Sequence, residues 1–251
     1  MRTMVPHIDT HTSHAHIARA HRTGGIMNRL YIGAIALLLA QPALAADIRL
    51  VTEEYPPFNL TYNGKIAGLA TDLVEATFQK AGVSYTLEML PWARAYSMAE
   101  TTPGTCVYST TETPERKDKF LWVGPLVNND WVLMGRATGS PAVSKLEEAK
   151  PYTIGGYNGD ALALFLEQQG YKVELSPRDD LNPTKLANGR IDFWATGSES
   201  GPHLAQQMGI KGLKTVATFK NTVMSLACNK GTDAAIVAKL QASLDAVRAK
   251  R

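Results

Sequence analysis

The sequence predicts an α/β protein whose two lobes are joined by two crossover strands. Strand-like and helix-like segments alternate along most of the 251-residue chain, which is typical of mostly parallel sheets covered by helices. A polar break at residues 128–130 separates two series of such units, and we expect the return crossing between residues 215 and 227. An amphipathic helix from Thr232 to the end would bring the chain back to the first lobe. The predicted lobes are residues 46–127 with 222–251, and residues 128–221.

The first 45 residues differ from the rest of the chain and consist of two segments. Residues 1–26 hold five of the six histidines and show no hydrophobic periodicity. From Met27, a basic start, an apolar run at 31–40 and the sequence Ala-Leu-Ala at 43–45 indicate a cleaved secretory signal peptide. The apolar run is too short to span a bilayer. We therefore expect residues 1–26 to be a mis-assigned leader, translation to begin at Met27, and the mature chain to begin near Ala46.

The apparent basicity of the chain comes from this leader. The whole sequence has 26 Lys/Arg and 23 Asp/Glu, of which four basic residues and one acidic residue precede Ala46. The mature chain is therefore neutral, and it gives no electrostatic reason to expect nucleic acid as a partner. His11, His14 and His16 leave metal binding by the leader as an alternative. We expect no metal and no cofactor in the mature protein, since it shows no metal-ligand spacing.

Periodicity predicts the elements of both lobes. Apolar residues at helical spacing predict a helix over 69–81 that ends at Gly82, and Tyr55-Pro-Pro-Phe58 is typical of a rigid turn. Pro183 confines the start of one helix in the second lobe. The predicted strands are residues 48–52, 84–90, 106–110, 120–127, 131–135, 152–155, 171–175 and 191–195. The other predicted helices are residues 92–100, one charged turn from Pro114, residues 161–168, 180–188, 203–208 and the last helix.

The stretch from Cys106 to Phe120 combines a strand end, several hydroxyls and an arginine. Thr113 suits an N-cap, Pro114 suits the first helical position, and Arg116 follows one turn later. Hydroxyl groups beside a guanidinium suit the binding of a carboxylate. A surface turn with a solvated arginine is the alternative.

This stretch resembles the signature of the family 3 solute-binding proteins, the periplasmic receptors of amino-acid ABC importers such as the histidine- and glutamine-binding proteins. The resemblance rests on the run from Ser109 to Arg116, followed by Phe120 and Gly124-Pro125. Further pieces occur in the order of the family: Tyr55-Pro-Pro-Phe58 before this run and Gly189-Arg-Ile-Asp192 after it. The resemblance extends from Ile48 to the C-terminus. It implies a bilobal type II periplasmic-binding-protein fold, a monomer in the periplasm, a solute in the cleft, and an ABC permease at the inner membrane as partner.

The resemblance also implies which residues contact the ligand. Tyr55 and Trp92 correspond to the aromatic residues that enclose the ligand side chain, although both could simply belong to the core. Ser109 and Thr111 match the hydroxyls that contact the ligand carboxylate, and Arg116 matches its anchor. Arg94 has no counterpart in the family; a surface charge and a second anion-binding group are both open.

The second lobe departs from the family pattern. Where amino-acid receptors of the family carry an Asp that pairs with the ligand ammonium, this chain has Gly197. Asp160 and Glu199 are the nearest candidates for that task, with Asp160 as a mere helix N-cap as the alternative. These departures argue against a standard α-amino acid, but not against a small carboxylate-bearing solute.

Cys106 and Cys228 both lie in the exported part of the chain. An exported pair favours a disulfide over a metal site, and the resemblance implies that their strands are neighbours. Two buried free thiols are the alternative.

The predicted function is binding without catalysis, followed by delivery of the solute to the permease. The main alternative is an enzyme similar to periplasmic dehydratases of the same fold, with Glu199 or Asp160 as general acid/base. We expect no catalytic residues, because the sequence shows no nucleophile–base pair. A sensory receptor for a membrane kinase is the third possibility.

Overall fold

The structure is a computed structural model that describes residues 48–250, so the predicted leader, signal peptide and cleavage site lie outside the described residues. Within this range the strands are β1 (Ile48–Thr52), β2 (Leu60–Tyr62), β3 (Lys65–Ala67), β4 (Tyr85–Met89), β5 (Thr105–Thr111), β6 (Phe120–Asn128), β7 (Trp131–Arg136), β8 (Thr153–Tyr157), β9 (Lys172–Ser176), β10 (Phe193–Gly197), β11 (Leu213–Lys220) and β12 (Val223–Asn229). The α-helices in the same range are α1 (Leu69–Ala81), α2 (Trp92–Thr101), α3 (Pro114–Lys117), α4 (Ala161–Gln168), α5 (Asn182–Ala187), α6 (Ser200–Gln207) and α7 (Ala234–Arg248).

These strands form two five-stranded sheets. The first has the order β4-β1-β5-β12-β6 and the second the order β11-β7-β10-β8-β9. In the first sheet β1 runs parallel to β4 and β5, whereas β12 is antiparallel to β5 and β6. In the second sheet β8 is parallel to β9 and β10, and β7 is antiparallel to β10 and β11. Both sheets are therefore mixed: three parallel strands form one side of each sheet, and the antiparallel strands next to the crossings form the other side.

Each sheet has its own hydrophobic core. Helix α1 has the predicted bounds, packs Phe78 into the first core, and ends at Gly82, whose φ of 59° allows the left-handed C-cap. Leu240 and Leu244 of α7 join the same core, so the last helix returns to the first sheet. The second core contains Leu133, Ile154 and Phe193 from three adjacent strands.

The chain passes between the two sheets twice, at neighbouring positions. One crossing lies at residues 129–130 between β6 and β7, and the other at residues 221–222 between β11 and β12. The Asn129 backbone N–H donates to the Thr222 carbonyl at 2.9 Å, so the two crossings are bonded to each other. We retain residues 46–127 with 222–251 as the proposed first lobe and 128–221 as the proposed second lobe.

Several elements differ from the sequence-based predictions. The hairpin β2–β3 and the strand β11 were not predicted. The turn at Asn63-Gly64 has positive φ values of 49° and 73°, so its Asn-Gly pair is the usual signal of a tight hairpin. Helix α6 begins at Ser200 rather than at residue 203, because Pro202 is tolerated in a first helical turn. The predicted helix 180–188 is a short 3₁₀ turn followed by α5.

The predicted disulfide between Cys106 and Cys228 is confirmed. The two residues are directly opposite each other in β5 and β12, with an S–S distance of 2.08 Å. The bond therefore joins a central strand of the first sheet to the strand that returns from the second. None of the described helices is long and apolar enough to cross a membrane.

Candidate functional site

A small buried cavity lies between the two lobes, where β1 and β5 end. In α/β sheets the carboxyl ends of parallel strands are the usual place for ligands. Six of the seven predicted ligand-binding residues line this cavity: Tyr55, Trp92, Ser109, Thr111, Arg116 and Asp160. Its volume is about 20 Å³, enough for about one water-sized group. The lobes are therefore closely apposed in this structure.

Arg116 is positioned by the single turn of α3 and is buried. Its guanidinium carbon lies 4.8 Å from the ring centroid of Tyr96 and 5.4 Å from that of Trp92, which is a cation–π arrangement. Its Nη2 donates to the Gly159 carbonyl at 2.9 Å, and its Nη1 makes a weaker bond of 3.4 Å to the Thr111 carbonyl. A guanidinium has five N–H donors, so donors remain that could bind a carboxylate.

The two predicted aromatic residues are buried at the cavity wall. Trp92 opens α2, and its Nε1 donates to the Gly159 carbonyl at 2.8 Å, so this carbonyl accepts bonds from both Trp92 and Arg116. Tyr55 follows β1 and accepts a hydrogen bond from the Asn129 side chain. Burial raises the pKa of Tyr55, so its phenol stays neutral.

Ser109 and Thr111 lie at the end of β5 and line the cavity floor. Ser109 has a φ of 59°, a conformation that is unusual for a residue with a side chain. Its hydroxyl donates to Asn59 Oδ1. The hydroxyl proton of Ser109 is therefore bonded within the first lobe, and its oxygen can only accept further hydrogen bonds.

Asp160 is a helix N-cap that also lies at the cavity. Its Oδ2 accepts a hydrogen bond of 3.1 Å from the Ala163 N–H, so it caps α4. It also lines the cavity. Burial raises the pKa of Asp160, while the positive charge of Arg116 and the helix N–H groups oppose the shift. A role of this carboxyl in ligand binding stays a prediction.

The structure does not bring Glu199 to the cavity. Glu199 is exposed at the start of α6, and the residue that faces the first lobe is its neighbour Ser200. Ser200 is buried, and its hydroxyl donates to the Pro56 carbonyl at 2.7 Å. Arg94 is also exposed, as expected for a surface charge.

Glu53 is a cavity residue that the sequence analysis missed. It directly follows β1, is 8% exposed, and accepts a hydrogen bond of 2.8 Å from the Tyr157 hydroxyl of the second lobe. Burial raises the pKa of Glu53 well above its usual value, and the Tyr157 bond opposes this only in part. An acidic residue at the carboxyl end of a buried parallel strand was the signal in the sequence.

Asp179 is a second buried carboxyl beside the cleft. It accepts hydrogen bonds from Trp194 Nε1 at 2.7 Å, Asn182 Nδ2 at 3.0 Å and Thr196 Oγ1 at 3.1 Å. Burial raises the pKa of Asp179 to about 7. Its partners come from β10 and α5, so its local role is to hold these elements together. No pattern in the sequence distinguishes it from the half-buried Asp180 that follows.

Gly197 ends β10 at a place where a side chain does not fit. A Cβ atom there would lie 2.1 Å from Asn129 Oδ1 and 2.7 Å from the Tyr55 hydroxyl. Asn129 and Tyr55 therefore fill the space that an aspartate side chain at 197 would need. Among the residues 48–250 no group of three or more His, Cys, Asp or Glu is placed to hold a metal ion.

A comparison with models of protein families shows to which family the chain belongs. The model of the bacterial extracellular solute-binding proteins, family 3, matches residues 48–246. The chain belongs to this family. The match covers both sheets and the cavity between them, and it confirms the resemblance drawn from the sequence.

Solved structures of similar proteins share the fold. A histidine kinase sensor domain with similarity to periplasmic binding proteins matches with a TM-score of 0.77 at 20% identity, over 82% of this chain and 91% of that chain. The arginine-, lysine-, histidine-binding protein ArtJ from Geobacillus stearothermophilus matches with a TM-score of 0.73 at 22% identity, over 81% and 90%. An ancestral arginine-binding protein bound to arginine matches with a TM-score of 0.72 at 22% identity, over 81% of this chain and 92% of that chain. The bilobal type II fold is thereby confirmed. No curated protein sequence matches the chain.

Proposed function

We propose that this family 3 protein is a periplasmic receptor that captures a small carboxylate-bearing, amino-acid-like solute and delivers it to an ABC permease. The observation that carries the proposal is the placement of Arg116 and Asp160. One comes from the first lobe and the other from the second, and both line the same buried cavity. A guanidinium and a carboxyl on opposite walls are complementary to a solute that carries both charges.

Capture by closure follows from the way the lobes meet. Interlobe hydrogen bonds include Trp92 to Gly159, Tyr157 to Glu53 and Ser200 to Pro56. The cavity of about 20 Å³ is too small for an amino acid. Entry therefore requires the lobes to separate about the two crossings, which is the hinge type of domain closure. A solute in the cleft would then stabilise a closed form slightly wider than this one.

The charges of the cavity favour a solute that has a cationic group. Glu53 and Asp160 contribute two carboxyls, whereas Arg116 is the one Lys or Arg among the lining residues, all of which lie within 48–250. When the ligand carboxylate pairs with Arg116, an excess of acidic groups remains. The arginine-, lysine- and histidine-binding neighbours support the inclusion of basic amino acids among the first compounds to test.

A thermal-shift screen tests the proposed binding function. The mature protein is screened against the standard L-amino acids, polyamines and small carboxylates. A solute at about 100 times its Kd should stabilise the protein by roughly 2.7 kcal/mol. Stabilisation by an amino-acid-like compound supports the proposal, and the absence of any shift over the whole panel contradicts it.

Export and the free monomeric state are part of the same proposal. The protein recovered from the periplasm should begin near Ala46 and should be a monomer by light scattering. N-terminal sequencing that finds residues 1–26 retained would contradict the proposed processing.

Sensing is a second candidate function, because a histidine kinase sensor domain has the same fold. The two functions predict different phenotypes for a strain that lacks this protein. Loss of uptake of the radiolabelled solute indicates delivery to a permease. Normal uptake with loss of the transcriptional response to the solute indicates a sensory receptor.

A further inference from the structure

Asn129 lies at the first crossing between the lobes and faces the cavity. It is 3% exposed and is one of the residues that line the cavity. Its backbone is fixed on both sides: the N–H donates to the Thr222 carbonyl at 2.9 Å, and its own carbonyl accepts from the Thr222 hydroxyl. The side chain therefore extends from the part of the hinge where the two crossings are bonded together.

The Asn129 carboxamide has one satisfied and one unsatisfied end. Its Nδ2 donates to the Tyr55 hydroxyl at 3.2 Å. Its Oδ1 is buried and has no hydrogen-bond partner among residues 48–250. A buried acceptor without a partner destabilises the fold, and such atoms are rare in native proteins. The unsatisfied oxygen thus requires a donor that arrives from elsewhere.

Gly197 lies directly against this oxygen and leaves the space that the carboxamide occupies. The oxygen lies 2.1 Å from the position where a Cβ of residue 197 would be. Any side chain at 197 would displace or cover the carboxamide. The glycine at 197 and the unpartnered amide oxygen together place a neutral acceptor among the residues that line the cavity, beside the carboxyls of Glu53 and Asp160.

The chemistry of the cavity indicates which donor suits this oxygen. A primary ammonium has three N–H donors and needs an acceptor for each. Glu53 and Asp160 provide carboxyl oxygens on the same cavity surface, and Arg116 provides none. A third, neutral acceptor completes the set without adding a further negative charge to a buried place.

We propose that Asn129 Oδ1 accepts a hydrogen bond from the amino group of the solute and that Asn129 is a specificity-determining residue of this receptor. The inference rests on the proposed function and adds to it the residue that reads the amino group. The binding preference for an amino-bearing solute over the same solute without that group should then depend on Asn129.

The test compares pairs of compounds that differ only in the α-amino group. Each L-amino acid that stabilises the wild type is titrated by calorimetry beside the acid that has the same side chain and no α-amino group, beginning with L-arginine against δ-guanidinovalerate. Asn129→Leu keeps the approximate shape of the side chain and removes the acceptor. Asn129→Asp keeps an acceptor oxygen. Asn128→Ser is the matched control, because Asn128 is exposed beside the same crossing.

The expected result is a loss of preference in one variant only. Asn129→Leu should reduce the preference for the amino compound by about tenfold and leave the affinity for the deamino analogue near that of the wild type. Asn129→Asp should keep or increase the preference, and Asn128→Ser should not change it. If Asn129→Leu does not fold, as judged by its thermal melt, Asn129→Asp decides alone: a reduced preference overturns the inference.

The negative outcomes separate the two claims. If the wild type binds amino acids and Asn129→Leu retains the full preference, Asn129 is only a hinge residue and the proposed function stands. If no compound of the panel binds the wild type, the proposed function and the inference both fail.

Discussion

The Tyr157 hydroxyl donates a hydrogen bond to Glu53 Oε1 at 2.8 Å, across the cleft between the two lobes. Tyr157 ends β8 in the second sheet, and Glu53 directly follows β1 in the first. The contact therefore ties together the ends of two parallel strands, one in each lobe. Because it can form only when the lobes are close, it couples the protonation of a buried carboxyl to closure.

The Glu53 carboxyl should make stability depend on pH. Burial raises its pKa in the folded protein well above the usual value of 4.5. The neutral form is thus the one favoured by the fold, and its stabilising effect is complete below about pH 4.5 and is lost as the pH rises through the raised pKa. Asp179 acts in the same direction, because burial raises its pKa from 3.8 to about 7. The free energy of unfolding should therefore fall as the pH rises through this range.

Glu53→Gln should flatten part of this dependence. Glutamine retains an oxygen that can accept the Tyr157 bond but does not ionise. Urea unfolding between about pH 4 and about pH 8 measures the slope for the wild type, for Glu53→Gln and for Glu167→Gln, an exposed control on α4. Equal slopes for the wild type and Glu53→Gln would show that Glu53 does not contribute.

Gly197→Ala should destabilise the closed protein. The added methyl would meet Asn129 Oδ1 and the Tyr55 hydroxyl at distances shorter than any normal contact. Overpacking of this kind costs about 1–3 kcal/mol. In the background of Asn129→Ala the same substitution should cost less, since one of the two obstacles is gone. A double-mutant cycle by urea unfolding measures the difference, and equal costs in the two backgrounds would contradict the predicted contact.

Reduction of the disulfide should lower stability. The bond between Cys106 and Cys228 closes a loop with a sequence separation of 122 residues. In the chain-entropy model such a loop contributes at most roughly 4–5 kcal/mol. Thermal unfolding with and without reductant measures the effect, and alkylation followed by intact-mass analysis should find two thiols only after reduction. Two thiols in the unreduced exported protein would refute the bond.

Asp160→Asn should weaken the binding of a solute that has a cationic group. Asparagine can still accept the bond from the Ala163 N–H, so the cap of α4 is kept. The change therefore removes the charge alone, and affinity should fall by about tenfold. A purely anionic solute should instead bind more tightly. Calorimetry with the compound found in the screen distinguishes these results, and an unchanged affinity would mean that Asp160 serves only as a cap.

Much of the fold could be predicted because its signals are local. Helix α1 shows apolar residues at helical spacing and a terminal glycine, and both its bounds were correct. The polar residues 128–130 lie where β6 ends and β7 begins, so the first crossing was predicted as well. The strand β11 was missed because its burial is irregular, with a run of exposed and half-buried residues. Its pairing with β7 depends on residues far away in the sequence.

Most of the residues that were correctly placed at the cavity have a counterpart in the family, and Asp160 is the exception. Tyr55, Trp92 and Arg116 line the cavity as expected. Glu199 was selected by its nearness to Gly197 in sequence, but the turn into α6 directs Ser200, not Glu199, towards the first lobe. Glu53 gains its significance from Tyr157, which is 104 residues away. Such contacts across the cleft follow from closure and leave no local pattern.

The central claim is that a solute binds through its carboxylate to Arg116 in the cleft. Isothermal titration of the wild type and Arg116→Ala with the best compound of the screen tests it most directly, with Arg116→Lys to separate charge from the bidentate fork. Loss of the guanidinium would leave the ligand carboxylate unpaired, so Arg116→Ala should cost roughly 2–5 kcal/mol of binding free energy, and Arg116→Lys should recover little of it. If wild type and Arg116→Ala, both folded, bind the compound with equal affinity, the account of this site is wrong.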